Sequence, residues 1–424
     1  KDALENLQTL GLEWDEGPTI DGGDRGEYGP YRQSERTELY TKYLQQLLDE
    51  DKAYYCFCDT QELEAHRQEL MSRGEAPKYS GNCKSLSKEE QGKRIAAEKS
   101  VIRFRVEPKV IEFTDLIRED ISLNMSLVGD IVIAKGLTTP LYNFTVVIDD
   151  HLMEITHVIR GEDHISNTPK QILMQKALGF DTPVYAHLPL ILAEDKTKLS
   201  KRHGDNSVTR FLNEGYLPTA LINFLALLGW NPGDERELFS LSNLVKEFSI
   251  EKVHKNGAIF NLQKLDWLNS EYIREMPLKD LTKLCIPYLK QENLPSEGYL
   301  EKAVALYQER LKKLSDIADL IDFLLVDSLT YDPQLLSWKG ASREETASSL
   351  TKSKEILSEV KESYWTEEEL SKLLLAEAEK DRDRGKLLWP LRVALSGKKN
   401  SAGPFEIAAV LGKEKTLERI EKAL

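Results

Sequence analysis

Apolar positions along this chain recur with two different periods, and the change of period divides it. Leu39, Tyr40, Tyr43, Leu44, Leu47 and Leu48 form one stripe at helical spacing, with Ser34 near its start, which predicts a helix packed on a sheet. Leu4, Leu7 and Leu10 make a shorter stripe that Gly11 ends. Between the two stripes, Gly and Pro from Asp15 to Tyr31 are too irregular for a regular element and predict a surface loop. From Tyr54 to Pro140 the pattern changes to a polar helix at 61–73, an alternating strand at 101–106, and strands at 130–133 and 142–148 joined by a turn with Gly136 and Pro140. This stretch reads as an insertion in a larger domain.

The α/β pattern resumes at Thr156. An apolar strand ends at Arg160, Gly161-Glu162-Asp163-His164 makes a loop, and Asn167 or Thr168 starts a helix with Pro169 in its first turn and Gly179 beyond its end. The next strand, 184–192, alternates towards Leu188, Leu190 and Leu192, and Glu194 and Asp195 turn the chain into Lys198-Leu199-Ser200-Lys201-Arg202, followed by His203-Gly204-Asp205. Asp205, Asn206 and Ser207 are candidate caps of a helix that begins at Val208 and stops at Gly215. A strand, helix and second strand in this order predict a βαβ unit of a parallel sheet, whose ligands lie at the carboxyl ends of its strands. Both polar loops fall there. Lys198 and Lys201 can then meet a triphosphate as point charges, aided by backbone N–H groups; a solvated basic turn is the alternative.

Beyond Leu217 strands give way to helical spacing: 218–228, then Leu262, Leu265 and Leu268, then amphipathic helices such as 299–314, 367–379 and 415–424. That half is expected to be all-helical. At 424 residues the chain suggests about two to four domains, and 41% hydrophobic with 30% charged residues is the composition of a globular protein. No run approaches the ~18 apolar residues of a membrane helix and no signal peptide opens the chain, so the cytoplasm is expected. A net charge of −14 excludes indiscriminate coating of nucleic acid but leaves room for a basic track that holds one structured RNA. Four cysteines do not make a disulfide scaffold; Cys56, Cys58 and Cys83 are grouped and form a separate question.

Gly29-Pro30-Tyr31-Arg32-Gln33-Ser34-Glu35-Arg36 resembles a characteristic segment of bacterial glutamyl-tRNA synthetases. Asp149-Asp150-His151, Arg160 to His164, Lys198 to Asp205, Gly403-Pro404-Phe405-Glu406-Ile407 and Leu411-Gly412-Lys413-Glu414 resemble the same family in the same order. The resemblance implies a Rossmann-type α/β class I synthetase core with an α+β insertion, followed by an all-α anticodon-binding half. The expected boundaries are 1–53 for the first part of the core, 54–140 for the insertion that binds the acceptor end, 141–196 for the second part, 197–276 for the lysine loop and stem contacts, and 277–424 for the helical half. The lysine loop resembles the second class I signature, usually KMSKS and here KLSKR. The first signature, a strand and the HIGH tetrapeptide, would lie upstream of Lys1. The chain opens without Met in what reads as mid-helix, so an N-terminal segment is expected to be missing. The core would then be incomplete and this polypeptide inactive by itself, and the function below is that expected of the complete protein.

The implied reaction activates L-glutamate with ATP and Mg²⁺ to glutamyl-adenylate and transfers the acyl group to the 3′ end of tRNA(Glu). By the resemblance, Lys201 with Lys198 neutralises the phosphates, and Arg202 either adds to them or pairs with an acid. Arg160 and Tyr142 would bind glutamate, since Arg suits a carboxylate bidentately; a salt-bridged arginine and a core tyrosine are the alternatives. Glu162 and Asp163 would hold ribose hydroxyls or simply be solvated, and His164 would lie near the adenine or cap the helix. Cys56, Cys58 and Cys83 resemble the family's zinc insertion. The fourth position is Ser85 here, a poor ligand; Tyr79 and the more remote His66 are substitutes, and free thiols are the alternative. Arg382, Arg384 and Arg392 are candidate anticodon contacts, against surface salt bridges. A monomer is expected. A non-catalytic tRNA-binding module, an enzyme that also charges tRNA(Gln), and a generic nucleotide-binding α/β protein remain as other readings. The helical C-terminal half argues against a glutaminyl enzyme, which would carry β-barrels there, and against the short relatives that lack an anticodon domain.

Overall fold

In the computed structural model, which describes residues 2–424 apart from 201, 203–206, 292, 381 and 382, the first two helical stripes form α1 (Asp2–Thr9) and α2 (Thr37–Asp49). Tyr40, Leu44, Leu47 and Leu48 are the buried face of α2, as their spacing requires. The chain divides into two compact units, Lys1–Asn206 with Ile222–Asn261, and Ser207–Leu221 with Leu262–Leu424.

In the first unit, β1 (Gly17–Pro18) and β2 (Asp24–Arg25) pair within the glycine-rich loop. Strands β3 (Ala53–Cys56), β4 (Val101–Phe104) and β7 (Ile131–Ala134) form an antiparallel sheet in the order β3-β4-β7. Polar helices α3 (Thr60–Ser72) and α4 (Lys88–Ile95) lie between β3 and β4 in sequence. The hairpin β5 (Val110–Asp115) and β6 (Glu119–Asn124) belongs elsewhere: it completes a four-stranded sheet, β6-β5-β9-β8, with β8 (His157–Gly161) and β9 (Val184–Leu188). Asp115 on β5 pairs in parallel with Tyr185 on β9. Thus two strands inside the range expected for the insertion are hydrogen-bonded into the sheet that carries the predicted βαβ unit.

The segment 142–148, expected as a strand, is instead the start of α5 (Tyr142–Leu152). Its β-branched run Thr145-Val146-Val147-Ile148 suggested a strand, but Phe144, Val147 and Ile148 are buried at the i, i+3, i+4 spacing of one helix face. They share a core with Tyr40, Leu44 and Leu47 of α2, Ile172 and Met174 of α6 (Thr168–Leu178), and Tyr185, so packing on two helices outweighed local propensity. β8 and β9 are parallel with α6 between them, the unit that the sequence predicts. The expected strand 184–192 breaks at Pro189, which has no N–H to continue a ladder. Its second piece, β10 (Ile191–Leu192), pairs instead with β11 (Ala258–Ile259). A Cβ on the neighbouring Gly257 would stand 2.8 Å from Leu192 Cδ1 and 2.9 Å from Leu190 O, so only glycine lets β11 approach this closely.

The second unit is helical, apart from 3-10 turns and loops, among its described residues. It begins with α7 (Val208–Asn213), capped by Ser207, which accepts from Arg210 N; Asp205 and Asn206 lie outside the described residues. The helix expected over 299–314 stops early, at Glu297–Ala305, and continues as short 3-10 turns at Gln308–Arg310 and Leu314–Asp316. Leu314 N donates instead to Gly215 O at 3.0 Å. Gly215 has φ +90, and a Cβ there would meet Leu314 N and Ser315 N at 2.7 Å. Gly215→Ala combines left-handed strain with a backbone clash and is expected to lower stability by about 3 kcal/mol. Equilibrium denaturation measures this, and an unchanged midpoint would refute the close approach. Leu281, Leu311, Leu350, Leu374, Leu391 and Ile420 lie in the core of this unit, with Arg419 buried beside them.

Candidate functional site

The carboxyl ends of β8 and β9 carry the predicted polar cluster, and they hold Arg160 more tightly than its sequence context suggests. Its Nε donates to His187 Nε2 at 3.3 Å, and its Nη2 donates to Thr168 Oγ1 and Gln171 Oε1, each at 2.8 Å. Among the described residues Nη1 has no protein partner and is the part of the fork available to a ligand. The guanidinium also lies 5.5 Å from the Tyr185 ring centroid. Thr168, Gln171 and His187 are all buried. The expected cap hydroxyl of α6 is therefore spent on the site, and Asn167, at the cap position, makes no side-chain cap bond.

Behind His187 stands Asp115, 1% exposed. Its Oδ2 lies 2.6 Å from His187 Nδ1, and its Oδ1 accepts from the backbone N–H groups of Ile117 (2.9 Å), Arg118 (2.8 Å) and His187 (3.2 Å). Burial pushes this carboxyl up, but the hydrogen bonds from Arg118 N, His187 and Ile117 N outweigh it and hold Asp115 below its usual range. Burial lowers His187 against the opposing pull of Asp115. A charged Asp115 beside a neutral imidazole results.

Tyr142 begins α5 with 47% exposure, and its ring meets that of His164 edge-on at 5.5 Å. The Asp149-Asp150 pair divides its work. Asp149 accepts from Arg36 Nε (2.7 Å), Tyr40 OH (2.8 Å) and Gln33 Nε2 (3.0 Å), while Arg36 Nη1 reaches Pro30 O at 2.9 Å. The segment from Gly29 to Arg36 is thereby strapped to α5. Asp150 is raised to about 6, by burial first and then by Asp149, with the Arg160 charge opposing.

Two loops meet at Asp163 and Lys198, whose Oδ2 and Nζ are 2.9 Å apart with both side chains about half exposed. Lys198 holds Asp163 below its usual range. The lysine reaches this point because 191–199 is a tight hairpin: Leu199 N bonds to Ile191 O at 2.9 Å, Ala193 N to Thr197 O at 2.8 Å, and Lys196 takes φ +63 at the turn. Glu162 is engaged inside the protein, by Arg118 Nη2 at 2.5 Å and Leu190 N at 3.0 Å. Arg202 is exposed. Lys201 and the segment from His203 to Asp205 lie outside the described residues.

The three expected cysteines converge. The Sγ atoms of Cys56, Cys58 and Cys83 lie within 4.8 Å of one another, and those of Cys58 and Cys83 are 3.6 Å apart, close to the ~3.8 Å edge of a tetrahedron with ~2.3 Å zinc–sulfur bonds. Tyr79 brings its hydroxyl oxygen to 3.3 Å from Cys56 Sγ and 3.4 Å from Cys58 Sγ. Burial raises Cys56, but hydrogen bonds from Tyr79 and the Cys58 backbone, with Arg103, bring it below its ordinary value; burial pushes Cys58 up. Ser85 is exposed and His66 sits beside Glu69, at 3.9 Å. Of the candidates for a fourth ligand, Tyr79 is the one the fold delivers.

In the helical unit Arg384 pairs with Glu379 at 2.6 Å on the surface. Arg392 lies 4.5 Å over the Trp389 ring, which in turn lies 5.0 Å from Trp338. Arg382 lies outside the described residues. The sequence reading missed Asp115, His187, Thr168, Gln171 and Arg118. A single histidine between Ala186 and Leu188 in an apolar strand was the available signal for an inward-facing polar partner.

Residues 1–267 match the family described as tRNA synthetases class I (E and Q), catalytic domain, and residues 280–424 match an anticodon binding domain. Glutamate–tRNA ligase 1 of Caldicellulosiruptor saccharolyticus is 43% identical over 438 residues, covering 99% of this chain and 87% of its own length. Glutamate–tRNA ligase 2 of Thermoanaerobacter pseudethanolicus is 42% identical over 433 residues, covering 100% and 87%. The crystal structure of a glutamate tRNA ligase from Elizabethkingia meningosepticum in complex with its amino acid superposes with a TM-score of 0.86 at 34% identity, over 99% of this chain and 88% of that one. No helix among the described residues is long and apolar enough to cross a membrane. A βαβ core with a basic loop, a following helical anticodon-binding half and relatives matched over nearly the whole chain converge on one assignment: this chain belongs to the glutamate–tRNA ligases, class I enzymes that aminoacylate tRNA.

Proposed function

We propose that the crevice at the carboxyl ends of β8 and β9 binds L-glutamate through Arg160 and Tyr142, and that the lysine loop neutralises the phosphates of ATP·Mg²⁺. An α-carboxylate oxygen of glutamate attacks the α-phosphorus and pyrophosphate leaves; the terminal ribose hydroxyl of tRNA(Glu) then attacks the acyl carbon and AMP leaves. Negative charge accumulates on the departing pyrophosphate, so positioned cations lower the barrier. Lys198, Lys201 and Arg202 are assigned to that charge. Asp163 holds Lys198 in the resting state, and Glu162, already paired with Arg118, braces the loop. His164 packs against Tyr142 and shapes the glutamate side of the crevice. The observation that carries this reading is Arg160, anchored by Nε and Nη2 with Nη1 left over.

ATP–pyrophosphate exchange tests it. In the N-terminally complete protein, exchange is expected with L-glutamate, with tRNA present or absent as the two arms, and Lys201→Ala is expected to slow adenylate formation more than tenfold, about 1.4 kcal/mol. A smaller loss removes the lysine from the chemistry.

The thiol cluster is proposed to hold one zinc through Cys56, Cys58, Cys83 and the Tyr79 oxygen, a structural clamp between the end of β3 and the loop at Cys83. Elemental analysis is expected to return one zinc per chain, with Tyr79→Phe weakening retention against a chelator. Metal-free protein with unchanged stability would mark the cluster as thiols alone. The helical unit is proposed to read the anticodon, with Trp389 and Arg392 as a stacking surface for unpaired bases. We assign the protein to the cytoplasm, acting as a monomer on tRNA(Glu).

A further inference from the structure

Arg160 does not choose its own orientation. Behind it runs a buried line, from the Asp115 carboxylate through the His187 imidazole to the Arg160 guanidinium, contributed by β5, β9 and β8. We propose that Asp115 and His187 are positioning residues for glutamate recognition: Asp115 sets the His187 tautomer, and that tautomer aims Arg160.

The argument is one of donors and acceptors. Asp115 Oδ1 already faces three backbone N–H groups, those of Ile117, Arg118 and His187. Only Oδ2 remains for the imidazole, and a carboxylate oxygen accepts, so His187 Nδ1 carries the proton. Nε2 is then an acceptor. It has to be, because the Arg160 Nε it faces at 3.3 Å is a permanent donor. Thr168 Oγ1 lies 3.1 Å from the same Nε2 and 2.8 Å from Arg160 Nη2, which ties the second nitrogen of the fork to the same imidazole. Reversing the tautomer would set Nε2–H against Nε–H and push the guanidinium out of its plane. His187, Asp115 and Thr168 are 0%, 1% and 0% exposed, so water does not relieve such a mismatch.

Asp115→Asn isolates this device. Its Oδ1 stays on the three N–H groups, its Nδ2 presents a donor to His187 Nδ1, and the ring is driven to the Nε2–H form. The expected result in the whole enzyme is a tenfold or greater rise in KM for glutamate in ATP–pyrophosphate exchange, with KM for ATP changed less than twofold. In ¹⁵N-histidine spectra, with the His187 signals among the seven histidines identified by their loss in His187→Gln, the native ring is expected as Nδ1–H and the Asp115→Asn ring as Nε2–H. A native Nε2–H ring overturns the proposal even if the variant fails to fold; so does a flipped tautomer that leaves KM for glutamate within twofold. The inference rests on Arg160 as the glutamate partner, and Arg160→Lys separates the two. If that variant leaves KM for glutamate unchanged, the reading of Arg160 fails; if it raises KM while Asp115→Asn does not, only the relay fails.

Discussion

Arg160→Ala is expected to lower kcat/KM for glutamate about a thousandfold, roughly 4 kcal/mol, with KM for ATP nearly unchanged. Two effects follow. The charge-assisted bond to the proposed substrate carboxylate is lost, which sets the kinetic effect; the truncation also leaves Thr168 Oγ1, Gln171 Oε1 and His187 Nε2 without their donor, at about 1–3 kcal/mol each, a cost to stability shared by the free and the substrate-bound enzyme. Arg160→Lys separates these, because an ammonium on a flexible stem restores the charge without the fork. It should recover a minor part of the activity. Steady-state exchange kinetics against glutamate concentration measure both variants, and a loss below tenfold in the alanine variant would return Arg160 to a structural role, held by His187, Thr168 and Gln171.

The largest effect on stability is expected at Arg419, far from this chemistry in sequence. Its guanidinium is buried in the helical unit and donates to Leu395 O at 2.6 Å, Phe323 O at 2.7 Å and Val326 O at 2.8 Å. Burial lowers its pKa, yet the three carbonyls replace the water it has lost, and it ties the end of the helix Gly385–Ser396 to the turn after Phe323. Arg419→Met keeps much of the volume and leaves three carbonyls without a donor, for an expected loss of about 3–5 kcal/mol. Arg419→Lys should recover only part of it, since one ammonium cannot span the three directions. Denaturant titration followed by far-UV circular dichroism gives the change in midpoint; a loss under about 1 kcal/mol would show that the carbonyls find other partners.

What the sequence revealed and what it hid follow from range. The stripe in α2, the βαβ unit from His157 to Leu188, the Ser207 cap and the helical second half rest on periodicity and caps, which are local. Arg160, Lys198, Tyr79 and the three cysteines were candidates for the same reason, by residue type and spacing or a family resemblance, and the structure brings the cysteines and Tyr79 together. The α5 helix was misread because Thr145 to Ile148 is β-branched, and its fate was decided by packing on α2 and α6, which lie outside any local window. Asp115 and His187 lie 72 positions apart, and nothing local to either announces the other. The hairpin β5–β6 was placed in the insertion because its neighbours in sequence are there, while the end of β5 also pairs with β9, at Asp115 and Tyr185.

That hairpin changes where the chain can be cut and rejoined. Exchanging 54–140 as a cassette with a relative would replace Asp115 and Arg118 together, and a mismatched pair would disturb His187 and Glu162, which they hold. A graft limited to 57–100 leaves β3, β4 and the whole β6-β5-β9-β8 sheet in place, and asks the retained Cys56 to match the incoming Cys58, Tyr79 and Cys83 positions, Arg103 to match Tyr79, and Asp130 and Arg105 to match Lys84. Modular exchange of this segment therefore has its natural seam between β3 and β4, well inside the 54–140 range.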